Sequence, residues 1–301
     1  MIYSSFYKDR PAYVVETDSL IATLLPEDGA KLTSLRRKTD GKELLATKPG
    51  DTYRVLTYDG SYVDSECSAF DDMFPTVDPD TPAGTNYGVY PDHGECCRLP
   101  HAARIENDAL ILTARSRMFP VTYEKMVQAG KNGELVVSYK IENHSEVAFP
   151  FLWAGHIMLA GEDGAEVLTP FTGETPTEIM FADSANMPLE ELPRDRLMKH
   201  EPGVGTTYKF YYLEPMPEGL FGVKYVDGTK LLFTFDPEKL PYLGLWLNNG
   251  AFQNGYSITP EPCTVPFDAP ERAAKRGYTS TIPAGGAFAF AMQINLTGGI
   301  A

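Results

Sequence analysis

The stretch ELVVSYKIEN, residues 134 to 143, decides the class of fold. Leu135, Val137, Tyr139 and Ile141 alternate with Val136, Ser138, Lys140 and Glu142, so one face is apolar and the other carries most of the polar groups. A two-residue period of this kind marks an antiparallel strand covered on one side. The rhythm recurs on either side of it. LFGVKYVDGTKLLFTF, residues 220 to 235, places two apolar runs around Asp227-Gly228, a dipeptide suited to a hairpin turn. Near the end, Phe288, Phe290, Met292, Ile294 and Leu296 alternate with alanine and polar residues. YVVETD, LIATLLPEDG and KLTSLRRKTDGKELL open the chain as short strands and turns.

Helix signals are few. In DAPERAAKRG, Asp268 is placed to cap, Glu271 to close a capping box and Gly277 to stop one or two turns. A second short helix is expected near PLEELPRDRLM, residues 188 to 198. With 24 prolines and 26 glycines punctuating many short strands, the expected class is all-β, a sandwich or barrel. No linker, composition shift or internal repeat divides the chain, which reads as one domain over residues 1 to 301.

Of the 301 residues 43% are hydrophobic, enough for a substantial core. The 26 Lys and Arg face 41 Asp and Glu, a formal charge of −15. That balance repels nucleic acid and anionic membranes and weakens the case for phosphorylated substrates. No run is long enough to span a bilayer, and MIYSSFYKDRPAYVVE lacks the apolar centre of a signal peptide, so a cytoplasmic location is expected. Cys67, Cys96, Cys97 and Cys263 include no CxxC, and they read as reduced thiols in or near a core. Cys96 and Cys97 with His93 and His101 match no familiar zinc spacing.

Three stretches hold polar groups that a plain sandwich does not require. In FPFLWAGHIML, residues 149 to 159, Phe149, Phe151, Trp153 and Ile157 share one face, while Leu152, Ala154, His156 and Met158 share the other. His156 is therefore away from bulk water, either as a satisfied core histidine or as a proton-transfer group. In GYSITPEPCT, residues 255 to 264, Glu261 stands between Pro260 and Pro262, which restrict the backbone around it. It is either a solvated turn residue or an aimed carboxylate. The third region joins FDDMFPTV, residues 70 to 77, to YPDHGECCR, residues 90 to 98.

Together with LGLWLNNG, residues 243 to 250, these stretches resemble the galactose mutarotase-like superfamily, which includes the aldose 1-epimerases. The resemblance runs from GAKLTSLRRKTDGKELL through FDDMFPT, HGE and the span from YEKM to FLWAGH, and ends with EPCT and PAGGAFAFAMQINL. It implies a large antiparallel β-supersandwich with no metal or organic cofactor. Its partner would be a small-molecule sugar, and the protein a monomer or homodimer. It also implies that His156 is the general acid, Glu261 the general base and His93 a sugar ligand. The pair would open an aldose ring by moving a proton off the C1 hydroxyl and another onto the ring oxygen, then close it on the other face of C1. Apolar neighbours would raise the Glu261 pKa, and His156 beside it would be favoured as imidazolium. Trp246 is either a pyranose platform or a core residue. Asp71 and Asp72 are candidate hydroxyl acceptors or turn caps, and Arg98 is a candidate ligand or a surface ion pair.

Two departures separate the chain from the resemblance. Galactose mutarotases carry an arginine before the first histidine, where FDDMFP stands here, and an aspartate before the glutamate, for which Asp195, Asp227 and Asp236 are the choices. Two other functions stay open: a non-catalytic carbohydrate-binding protein, and a hexose-phosphate 1-epimerase with Arg98 and Lys209 at the mouth of its cleft.

Overall fold

The computed structural model describes residues 1–184, 205–253 and 255–298. Among them, the strands form two large antiparallel sheets. In the eight-stranded sheet the ELVVSYKIEN alternation becomes a ladder between Leu135–Asn143 and Ala287–Thr297, with Val137 opposite Met292 and Tyr139 opposite Phe290. The expected hairpin follows, Leu220–Lys224 against Lys230–Phe235, and its Asp227 is held by Arg37 of the other sheet at 2.7 Å.

The eleven-stranded sheet positions the site. Its order runs from Ile2–Tyr7 through Arg10–Glu16, Leu20–Leu25 and Lys31–Arg37 to Phe70–Met73 and Ala154–Ile157. It continues through Tyr256–Cys263, Tyr242–Asn249 and Thr206–Tyr212 to Thr177–Ser184. Consecutive residues of these strands face opposite ways. Phe149, Phe151, Trp153 and Ile157 enter the main core with Leu243, Leu245, Leu247, Tyr208 and Phe210. Trp153 meets Phe290 of the other sheet at 4.6 Å between ring centroids. A fully buried side chain of this size contributes about 1.5–3 kcal/mol, which makes this face the one that holds the sheets together. Leu152, Ala154, Tyr211 and Cys263 join a smaller cluster on the opposite face.

The one α-helix described, Pro270–Ala274, starts differently from the expected capping box. Its N-cap is Ala269, and Asp80 Oδ2 accepts from the Glu271 N–H at 2.7 Å. The Asp268 carboxylate is instead taken by Lys209 and Tyr211, each at 2.6 Å. An ammonium and a phenol O–H hold the carboxylate more strongly than a backbone N–H at the helix end would. The expected helix at PLEELPRDRLM lies largely outside the described residues. No described helix is long and apolar enough to cross a membrane.

Candidate active site

Strand register brings the candidate residues to one face of the larger sheet. His156 pairs with Asp71, and Ala154 pairs with both Met73 and Cys263. Glu261 lies two residues before Cys263, so it shares the His156 face. Across the next ladders Glu261 pairs with Gly244, Thr259 with Trp246, and Trp246 with Lys209. Pro260 and Pro262 fall inside the strand rather than in a turn. Between the pairings at Cys263 and Ile258, residues 259 to 262 have no ladder partner on the histidine side, the position where residues lacking an N–H fit. Their side chains turn away from Glu261. Gly244 is required here, because a Cβ on it would come within 2.7 Å of the Tyr211 ring.

The result is a tight pair. His156 Nε2 lies 3.9 Å from Glu261 Oε1, and both side chains are buried. Lys209 Nζ sits 2.6 Å from Glu261 Oε2 and 2.6 Å from Asp268 Oδ1. Among the described residues neither Glu261 oxygen has a hydrogen bond of good geometry, despite the close ion pair with Lys209. Burial raises the Glu261 pKa against the pull of Lys209, with Asp268 adding to the rise. Burial would lower Lys209, but Asp268 and Glu261 more than reverse it and keep the ammonium charged.

His156 behaves otherwise than the sequence suggested. Burial first, then the proximity of His93, Lys209 and Lys31, holds its pKa well below the ordinary imidazole value. The neutral imidazole is favoured over the imidazolium, because losing hydration costs more than one nearby carboxylate, itself engaged by lysine, returns.

A cavity of about 560 Å³ opens over the pair and is lined by His93, Tyr62, Trp246 and Phe252 among others. His93 stacks on Tyr62 with centroids 3.9 Å apart and planes 11° from parallel, and its Nδ1 is 2.9 Å from Asp92. Trp246 lies 5.6 Å from the His156 ring and meets Phe252 edge-on at 5.2 Å. Phe267 and Asp268 both have positive φ, 76° and 64°, a conformation costing about 1–3 kcal/mol per residue. The Asp268 carbonyl accepts from the N–H groups of Val77 and Asp78, which holds this turn against the cleft. A second cavity of about 520 Å³ lies beside the first, sharing Cys67 and Phe252, and contains none of the sequence-predicted site residues.

Known structures share this architecture. A candidate aldose 1-epimerase from Klebsiella pneumoniae superposes with a TM-score of 0.74 at 15% identity, covering 98% of this chain and 82% of that one. A galactose mutarotase-like protein from Clostridium acetobutylicum gives 0.67 at 12% identity, covering 99% and 98%. Another, from Lactobacillus casei, gives 0.64 at 15% identity, covering 95% and 100%. The chain has the galactose mutarotase-like fold. No family model and no curated protein matches its sequence.

Within this mutarotase-like fold the remaining candidates are distributed unevenly. Asp71 lies behind the cleft wall, 2.8 Å from the Tyr62 hydroxyl and 2.9 Å from Lys31 Nζ. Asp72 faces the opposite way, into the sandwich, where it meets Lys125 of the other sheet at 2.8 Å. It reaches no cavity-lining position, since neighbours on a strand point apart. Arg98 is buried and donates to the carbonyls of Gly94, Tyr58, Gly60 and Asp92, pinning two loops together instead of meeting a ligand or a surface carboxylate. Cys96 and Cys97 are free, buried and absent from the cavity wall, whereas Cys67 lines it. Of the three aspartates considered, Asp227 is bound by Arg37, Asp236 holds its own turn through the Glu238 N–H, and Asp195 is outside the described residues. Sequence reasoning assigned Asp268 to a helix and passed over Tyr62. The cation beside Glu261 is Lys209, which lines the cavity together with Arg272 and whose sequence signal is a charge within the aromatic strand YKFYY.

Proposed function

We propose that the cleft interconverts the α and β anomers of an aldose by acid–base ring opening and closure, as an aldose 1-epimerase. The observation carrying this reading is the His156–Glu261 pair, 3.9 Å apart and buried in the wall of a sugar-sized cavity, with Glu261 Oε1 toward the histidine and Oε2 toward Lys209. Ring opening moves the C1 hydroxyl proton to one member of the pair while the other member protonates the ring oxygen. The carbonyl forms at C1 as the C1–ring oxygen bond breaks. Rotation about C1–C2 presents the other face, and closure returns both protons. The pair thus alternates between imidazolium with carboxylate and imidazole with carboxylic acid. The roles implied for His156 and Glu261 exchange within each turnover. The working form of the pair carries one proton, and burial disfavours the charged form of each partner. Lys209 limits how far the Glu261 pKa is raised.

Trp246 and Phe252 offer apolar rings to the C–H faces of a pyranose, and His93 lines the same cavity. Arg98 and Lys209, the cations considered for a phosphate grip, are occupied by four carbonyls and by two carboxylates. Proton saturation transfer between anomeric signals tests the proposal, using glucose, galactose, a deoxy sugar, a sulfonated sugar and a hexose 6-phosphate. Wild type is expected to accelerate exchange of at least one unphosphorylated sugar. Glu261→Gln is expected to lose roughly 10²- to 10⁴-fold of that rate, the range for one positioned proton-transfer group. Binding with exchange at the buffer rate for every sugar would establish a binding protein instead.

A further inference from the structure

Tyr62 stands between His156 and Asp71, and its single hydroxyl proton decides how the imidazole is protonated. The hydroxyl is 2.8 Å from Asp71 Oδ2 and 3.4 Å from His156 Nδ1. The same Asp71 oxygen lies 2.9 Å from Lys31 Nζ, and Lys31, Asp71, Tyr62 and His156 are all buried. A carboxylate paired with an ammonium has no proton to offer, so the Tyr62 O–H donates to Asp71. The Tyr62 oxygen then faces Nδ1 only as an acceptor.

We infer that Lys31, Asp71 and Tyr62 form a positioning relay that holds His156 as the Nδ1–H tautomer, with the Nε2 lone pair turned toward the cleft and Glu261. The tautomer follows from the hydrogen-bond chain alone, while its catalytic meaning rests on the mutarotase reading. When Nε2 takes a proton from a sugar hydroxyl, Nδ1–H already points at the Tyr62 oxygen. The new positive charge is stabilised through that oxygen and Asp71, and no proton travels along the relay. The stacking of Tyr62 on His93 fixes the phenol ring, so the relay also ties the two cleft histidines into one rigid unit. Asp71 therefore acts on the reaction through Tyr62 and His156, without touching the sugar.

The test is a two-bond proton–nitrogen correlation spectrum of the full chain with ¹⁵N-labelled histidine, His156 being assigned with a His156→Gln variant. Near neutral pH, Nδ1 of His156 is expected in the protonated, pyrrole-type range and Nε2 in the unprotonated, pyridine-type range. The reverse pattern in wild type overturns the inference without need of any variant. Tyr62→Phe keeps the ring stack and removes the acceptor. It is expected to move His156 toward the Nε2–H form and to slow anomer exchange by roughly 10- to 100-fold, the order of effect of losing a partner that orients a functional histidine. A Tyr62→Phe protein with the wild-type tautomer overturns the relay. The predicted nitrogen pattern in a wild type that accelerates no sugar would uphold the relay and sink the mutarotase reading.

Discussion

Glu261 is a carboxylate that the fold buries and leaves under-bonded, and Lys209 keeps it usable. Without that ammonium 2.6 Å away, burial and Asp268 would act on Glu261 against only the weaker pull of His93. Lys209→Met is therefore expected to raise the Glu261 pKa. The alkaline limb of a pH–rate profile for anomer exchange, where the pair loses its one proton, should move to higher pH. An unchanged alkaline limb would show that another group titrates there. The apolar setting of His156 and the prolines flanking Glu261 marked both as candidates with a structural alternative beside each, and their roles came only from the family resemblance. Which carboxylate of FDDM faces the cleft was not legible: Asp71 and Asp72 have the same neighbours, and only pairing with Ala154–Ile157 assigns each to a face. The charge of His156 was misjudged for a related reason. Its hydration loss depends on how much of the molecule closes over it.

At the scale of elements, the Phe70–Met73 strand presents one carboxylate to the back of the site and one to the core. Asp72 meets Lys125 with almost no solvent on either, so removing one partner strands the other's charge. Lys125→Met is expected to cost about 3–5 kcal/mol in urea unfolding, while the double change with Asp72→Leu recovers most of it. A single variant as stable as wild type would mean that water reaches the pair. The helix beginning at Pro270 teaches a similar lesson about reading ends. Asp268, Glu271 and Gly277 form a sound local capping pattern, yet Lys209 and Tyr211 arrive from a distant strand and take the Asp268 carboxylate. A local motif lost to tertiary charge, which no window of sequence contains.

Over the whole molecule, period-two alternation made the all-β class and the sandwich readable, because every core strand must turn one apolar face inward. Strand order was not readable, and it is the order that places residues 156, 209 and 261 side by side. Burial also sets an acid limit on stability. His101 is pushed from its ordinary value to about 4 by burial, against a hydrogen bond to the Leu99 carbonyl. A depressed histidine binds fewer protons folded than unfolded between about pH 6.5 and 4, so its stabilisation is present above 6.5 and lost as pH falls, by about 3 kcal/mol in all. His156 adds in the same direction. His101→Asn, which retains a donor for Leu99, is expected to flatten that part of the pH dependence in denaturant titrations. An unaltered slope would place the acid sensitivity elsewhere. The most direct measurement of the central claim is anomer exchange by saturation transfer in wild type, His156→Gln, Glu261→Gln and the double variant. If the two groups transfer protons as one pair, each single change lowers the rate nearly as far as both together. Losses that multiply, or single variants that exchange as fast as wild type, would contradict it.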